Sequence, residues 1–233
     1  MEHISQSLSQ RLGNFRLGTP GQKNSYSNNE TESAEPGEGS PEWVTKKLRM
    51  FNISSLNHTF ENFKADSQTK EAVMTLKALS NAELKKQFVL LYGTAGCGKT
   101  HLIEATIINW ARQNIWSSYL TFSEMARQLK TELRKGGDFY DLRFEDFCNG
   151  KRLIIDDFGM GTTESRFEIS DLEDIIDKRY RRRYYPDCDL VTILATNKDI
   201  KELPDRITSR FFDPEFGVVL YMGDKDYRRR GKQ

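Results

Sequence analysis

An α/β fold with a parallel sheet covered by helices on both faces is predicted by three observations. Short strand-like runs, over 88–92, 117–122, 151–156, 190–196 and 218–222, alternate with segments of helical apolar spacing. Between the first run and its helix lies GTAGCGKT, residues 93–100, which fits GxxxxGK followed by Ser or Thr. The third run, Leu153-Ile154-Ile155, ends in two carboxylates, Asp156 and Asp157.

Taken in chain order, Ile4, Leu8, Leu12 and Phe15 fall at spacings that align them on one face of a short helix within residues 1–17. A helix that short is marginal alone, so it would fold onto its own domain or into a partner's groove, or else fray as an ordinary terminus. Residues 18–40 are dominated by Gly, Ser, Asn, Glu and Pro, and read as a disordered linker. From 41 to 233 the pattern is that of one domain. A short helix is expected over 41–50, and another from about 67 to 79 before the first strand.

At the phosphate loop the chemistry becomes specific. Glycines at 93, 96 and 98 let the backbone curl so that successive N–H groups face phosphate oxygens, and Thr94, Ala95 and Cys97 occupy the variable positions. Lys99 would reach the β- and γ-phosphates, and the Thr100 hydroxyl would bind Mg²⁺. The helix from His101 to Arg112 would add the positive end of its dipole. ATP or ADP with Mg²⁺ is the expected ligand.

After the second strand, Ser123 is read as the cap of a helix that ends at Gly136-Gly137, with a shorter helix over 138–147. In the third strand Asp156 would hold Mg²⁺ and Asp157 would orient or deprotonate the attacking water. A helix is expected over 167–183. Leu194-Ala195-Thr196-Asn197 then ends a buried strand; Asn197 either positions water beside the γ-phosphate or simply makes a strand-end turn. In Asp205-Arg206-Ile207-Thr208-Ser209-Arg210 two arginines share a helix face, and Arg210 would serve a neighbouring subunit's ATP or remain a solvated charge.

Composition narrows the class. A net charge of +1 over 233 residues excludes a generally basic nucleic-acid coat, so such contacts must come from local clusters. KRYRRRYY at 178–185 and the basic run at 227–232 are the clusters present. Three scattered cysteines, without CxxC or a histidine pair, point to a reducing compartment and no zinc site. No long apolar run or leader pattern is visible, so a cytoplasmic protein without membrane contact is expected.

The combination resembles the AAA+ ATPases. HTFENF at 58–63, GTAGCGKT, LIIDDFGMGTTES at 153–165, DKRY at 177–180, LATN, DRITSR and the terminal YRRR resemble the DnaC/DnaI type of bacterial and phage replicative helicase loaders. The IstB-type transposition helper ATPases are similar relatives. The resemblance implies an ATPase that self-associates through its ATP site, contacts single-stranded DNA and delivers a replicative ring helicase. It implies a parallel five-stranded AAA+ core with the lid domain missing or vestigial, Asp157 as catalytic acid, Asn197 as sensor, Arg210 as a finger acting in trans, and Arg228 as a second sensor. His101 follows the loop at the nucleotide. It also turns Lys130, Arg134, Lys135, Ser165, Arg166 and Phe167 towards DNA, while Lys130 and Arg134, four residues apart, fit a solvated helix face equally well and Phe167 equally suits the core. Asp157 departs from the glutamate typical of AAA+ proteins, which predicts slow hydrolysis and keeps a nucleotide-gated adaptor open as an alternative.

Overall fold

The computed structural model describes residues 40–50, 53–159, 165–185 and 188–227. The expected docking segment 1–17, nearly all of the linker, and Arg228 lie outside the described residues.

Among the described residues thirteen elements follow in order: α1 (Pro41–Met50), α2 (Lys70–Ser80), β1 (Phe88–Tyr92), α3 (Lys99–Arg112), β2 (Ser118–Thr121), α4 (Phe122–Lys135), α5 (Gly137–Asn149), β3 (Arg152–Phe158), α6 (Arg166–Arg181), β4 (Val191–Thr196), a 3₁₀ turn (Ile200–Glu202), α7 (Asp205–Phe211) and β5 (Gly217–Tyr221). The strands form one five-stranded sheet in the order β2-β3-β4-β1-β5, and every pairing is parallel. The fold class is therefore the one the sequence predicts.

Both faces of the sheet are buried, and the period-two alternation of β1 divides the core. Val89 and Leu91 pack with Leu76, Leu102 and Trp110 of α2 and α3. Phe88 and Leu90 pack with Met125, Leu172, Ile176 and Phe211 of α4, α6 and α7 on the other face. Each fully buried aliphatic or aromatic side chain contributes about 2 kcal/mol, which is why the strands read as continuous apolar runs.

Local chemistry sets the helix boundaries. α2 starts later than expected because the Asp66 carboxylate accepts from the Gln68 and Thr69 N–H groups and the Thr69 hydroxyl, forming a turn before it. Ser123 does not cap α4; Thr121 does. Its hydroxyl accepts from Glu124 N at 3.2 Å while the Glu124 carboxylate returns to Thr121 N at 2.9 Å, and Phe122 is helical. Ser165 and Glu168 build the same reciprocal cap on α6.

KRYRRRYY turns out to hold two kinds of arginine. Arg179 is fully buried, donating to Thr192 Oγ1 and to the carbonyls of Phe147, Gly150 and Val191 at 2.7–2.9 Å. Burial pulls its pKa down to about 10. The cation ties α5, the turn after it and β4 to α6 without a carboxylate. Arg183, four residues on, lies over the Tyr180 and Tyr184 rings at 3.8 and 4.1 Å.

Candidate nucleotide site

A cleft of about 480 Å³ opens at the carboxyl ends of β1, β3 and β4. Open α/β sheets place ligands at this end, because the strand-to-helix loops converge there. Gly96, Gly98, Lys99, Thr100 and His101 line it from the loop and α3, and Asp157 and Asn197 line it from β3 and beyond β4.

The loop's shape depends on its glycines. Gly98 caps α3 at φ 101°, and a Cβ there would sit 2.6 Å from the Phe63 ring. Gly93 lies equally close to another segment: its Cβ would meet the Gly223 carbonyl at 2.7 Å. That carbonyl accepts from Thr94 N at 3.2 Å, and Tyr227 N donates to Gly96 O at 3.0 Å, so residues 223–227 cross the loop. Asp66 anchors this crossing, accepting from the Tyr227 hydroxyl at 2.5 Å and Lys225 Nζ at 3.3 Å. The Tyr227 bond first, with the Thr69 and Lys225 bonds, holds the Asp66 carboxyl far below the usual carboxylate range.

Lys99 is 5% exposed, and its ammonium donates to the loop's own Gly93 and Thr94 carbonyls at 2.8 and 2.9 Å. Thr100 Oγ1 donates to Asp156 Oδ2 at 2.8 Å, joining the loop to β3. Asp156 is 2% exposed, and its Oδ1 accepts from Asp157 N at 2.8 Å. Burial pushes its carboxyl upward against the Thr100 bond, and the Asp157 charge adds to the rise.

A β-bulge separates the two carboxylates. Ile155 pairs with Leu194 but Phe158 pairs with Thr196, so Asp156 and Asp157 together oppose Ala195. Asp157 takes φ 55°, rare for a residue with a Cβ, and is exposed on the cleft while Asp156 stays buried. Thr196 Oγ1 donates to the Phe158 carbonyl at 2.7 Å and closes the bulge, with Asn197 following it.

The donor set suits a hard divalent ion only in part. A buried carboxylate beside a threonine hydroxyl offers oxygen ligands of the right kind. No group of three or more His, Cys, Asp or Glu side chains able to hold a metal occurs among the described residues, so phosphate oxygens and water would supply the remainder.

Residues 42–205 match the IstB-like ATP binding protein family. The chain belongs to that family. Among curated relatives of this IstB-like chain, the replication initiator DnaA of Mycoplasma capricolum subsp. capricolum is 30% identical over 118 residues, or 49% of the chain. The chain spans only 25% of that relative's length. Among solved structures, AMPPCP-bound DnaA from Aquifex aeolicus aligns with TM-score 0.58 and 22% identity over 72% of this chain and 50% of that one. The DnaC helicase loader aligns with TM-score 0.56 and 20% identity over 71% of this chain and 97% of that one. At these identities the structures establish the parallel α/β fold alone.

Three lining residues of the IstB-like cleft escape sequence reasoning: Ser54, His58 and Tyr227. The first two are held by Glu104, a fully buried carboxylate of α3. Glu104 accepts from Ser54 N at 2.7 Å and Ser54 Oγ at 3.0 Å, and lies 2.6 Å from His58 Nδ1. His58 stacks on His101 with ring centroids 4.3 Å apart. His101 Nε2 donates to the Thr59 carbonyl at 3.0 Å, and burial lowers its pKa. The available signal was a charge inside the apolar helix HLIEATIINWAR.

Arg210 does not line the cleft. It sits on α7, donating to Asp177 Oδ1 at 2.8 Å, with its guanidinium 4.7 Å from the Tyr180 ring centroid. Arg206 pairs with Glu173 and Asp174 on the same helix, α6. Of the residues turned towards DNA, Lys130 pairs with Glu168 at 2.5 Å, Lys135 with Glu132 at 2.7 Å, and the Ser165 hydroxyl caps α6. The Lys130 pair brings the middle of α4 to the start of α6, where Arg166 and Phe167 are exposed; Arg134 is exposed as well.

Proposed function

We propose that this IstB-like protein is a slow, Mg²⁺-dependent ATPase whose nucleotide state controls assembly on single-stranded DNA and delivery of a replicative ring helicase. The observation that carries the reading is one cleft lined by Lys99, Thr100, Asp157 and Asn197, joined to Asp156, while the finger candidate, Arg210, bonds to Asp177 outside it. A chain so arranged holds half of a hydrolytic site.

In this reading the Lys99 ammonium exchanges the Gly93 and Thr94 carbonyls for phosphate oxygens, and the N–H groups at the start of α3 face the same anion. Thr100 and Asp156 would hold Mg²⁺, which supplies charge neutralisation of the phosphates. Asp157 orients the attacking water and takes its proton, and Asn197 positions that water from the other side. Asp157 is one methylene shorter than glutamate and reaches less far, so turnover is slow. Arg210 of an adjacent subunit would stabilise charge on the transferred phosphoryl group. Lys130, Arg134, Lys135, Arg166 and Phe167 would contact a single strand, cations following phosphates and the ring stacking on a base. The segment 1–17 would dock the helicase. A cytoplasmic location follows from these partners.

The IstB-like family match favours a second reading, a transposition helper acting on duplex DNA with a transposase. Affinity capture of the full chain separates the two: a co-purifying ring helicase, lost on deletion of residues 1–17 with ATP binding intact, supports the loader. A co-purifying transposase and preference for duplex DNA overturn it. If Asp157→Glu leaves turnover undetectable with and without single-stranded DNA, the protein is a nucleotide-gated adaptor instead.

A further inference from the structure

At the opposite end of the sheet, where β1, β3 and β4 begin, two adjoining cavities of about 450 and 350 Å³ share Tyr185, Cys188, Asp189 and Leu190 as lining. Cations from three separate segments converge there: Lys85 and Lys86 before β1, Lys151 and Arg152 at the start of β3, and Arg182 and Arg183 after α6. Among the described residues, Asp189 pairs with Arg152, Glu145 lies 3.9 Å from Arg182, and Asp213 lies near Arg183. Six cations thus face three anions among the described residues. Lys86 Nζ donates to the Pro214 and Glu215 carbonyls, which are uncharged.

Two further features mark a binding surface. Five buried side-chain polar atoms among the described residues lack a hydrogen-bond partner, and three of them, Gln87 Oε1, Arg152 Nε and Arg183 Nε, belong to residues lining the larger cavity. Such atoms are costly to bury unpaired and are normally satisfied. In addition, Tyr185 is 65% exposed on the shared wall, and Tyr184 beside it is 62% exposed.

We propose that this groove is a second binding site for single-stranded nucleic acid, separate from the surface at the start of α6. Cations spaced along a groove follow successive phosphates, and exposed rings stack on bases of any sequence. An acidic peptide would use the cations but leave the tyrosines without a role. α6 has sixteen residues, so the KRYRRRYY end lies about 24 Å from the Ser165 end and the two surfaces can be tested independently.

The test is titration of a labelled oligothymidine strand of about twenty nucleotides, and the matching oligouridine, with the full chain over a range of salt. Lys85, Lys151 and Tyr185 are exposed, so Lys85→Ala/Lys151→Ala/Tyr185→Ala should leave the melting temperature and ATP affinity unchanged. It should weaken strand binding about tenfold or more and flatten the log–log salt slope by about 1.4, two phosphates' worth. Equal loss with both strands means the groove reads the backbone of either polymer; loss with one identifies the source. A halogenated-uridine strand should crosslink to the Tyr184–Tyr185 peptide. The proposal is overturned if binding and slope are unchanged, whether because wild type binds no strand or because only Lys130→Ala/Arg134→Ala abolishes binding, or if poly-glutamate alone competes for the groove.

Discussion

At the carboxyl ends of the strands almost every polar side chain is committed: Lys99 to two carbonyls, Thr100 to Asp156, Glu104 to Ser54 and His58. At the amino ends, among the described residues, cations outnumber carboxylates and three buried polar atoms lack partners. The first end holds its polar groups in fixed hydrogen bonds; the second adds the exposed charges of Lys85 and Lys151 and the exposed rings of Tyr184 and Tyr185. Those are the respective requirements of a triphosphate site and of a surface for a sequence-tolerant polymer. Arg179 and Arg183 repeat the contrast within one helix turn, one locked by four hydrogen bonds of 2.7–2.9 Å, the other stacked between tyrosines.

Four substitutions would break or sharpen this contrast. Lys99→Ala should have the largest effect, weakening ATP binding by about a hundredfold in calorimetric titration, the loss of charge-assisted bonds to the phosphates, with strand binding at the amino-end groove retained. Equal loss of both would mean the two ends are not independent. Arg179→Leu should come next. It leaves buried carbonyls of Phe147, Gly150 and Val191 without their donor, and should cost on the order of 4 kcal/mol in urea unfolding, whereas Arg183→Ala should cost about 1 kcal/mol. Similar costs for both would remove the distinction between locked and stacked arginine.

The smallest effect concerns Asp156, whose carboxyl is pushed upward by burial. A group whose folded pKa is raised stabilises fully below its unfolded pKa, near 3.9 for aspartate, and loses that contribution as pH climbs through the folded value. At neutral pH the ionised carboxylate therefore costs stability. Asp156→Asn should raise the melting temperature at pH 7.5, with a gain that shrinks towards pH 4, while abolishing Mg²⁺-dependent turnover. A lowered melting temperature at pH 7.5 would contradict the assigned direction.

The sheet and the phosphate loop were legible because their signals are local. Apolar runs mark strands buried on both faces, and GTAGCGKT is contiguous. The α4 cap was misplaced for a local reason too: Thr121 and Ser123 both suit a cap, and only Thr121 has Glu124 three residues on. What could not be read was built from distant segments. Glu104 meets Ser54 across fifty positions, and Tyr227 meets Asp66 across 161. The amino-end groove joins Arg182-Arg183, part of the basic cluster legible at 178–185, to Lys85-Lys86 and Lys151-Arg152, which look like ordinary solvated charge in sequence.

The central claim, that the cleft is half a site completed by a neighbour, is tested most directly by mixing Lys99→Ala and Arg210→Ala subunits. Each variant alone should be inactive. In the mixture, an intact cleft on one subunit meets an intact arginine on the other, and the account predicts partial recovery of ATPase activity. No recovery from folded, associating subunits would contradict it.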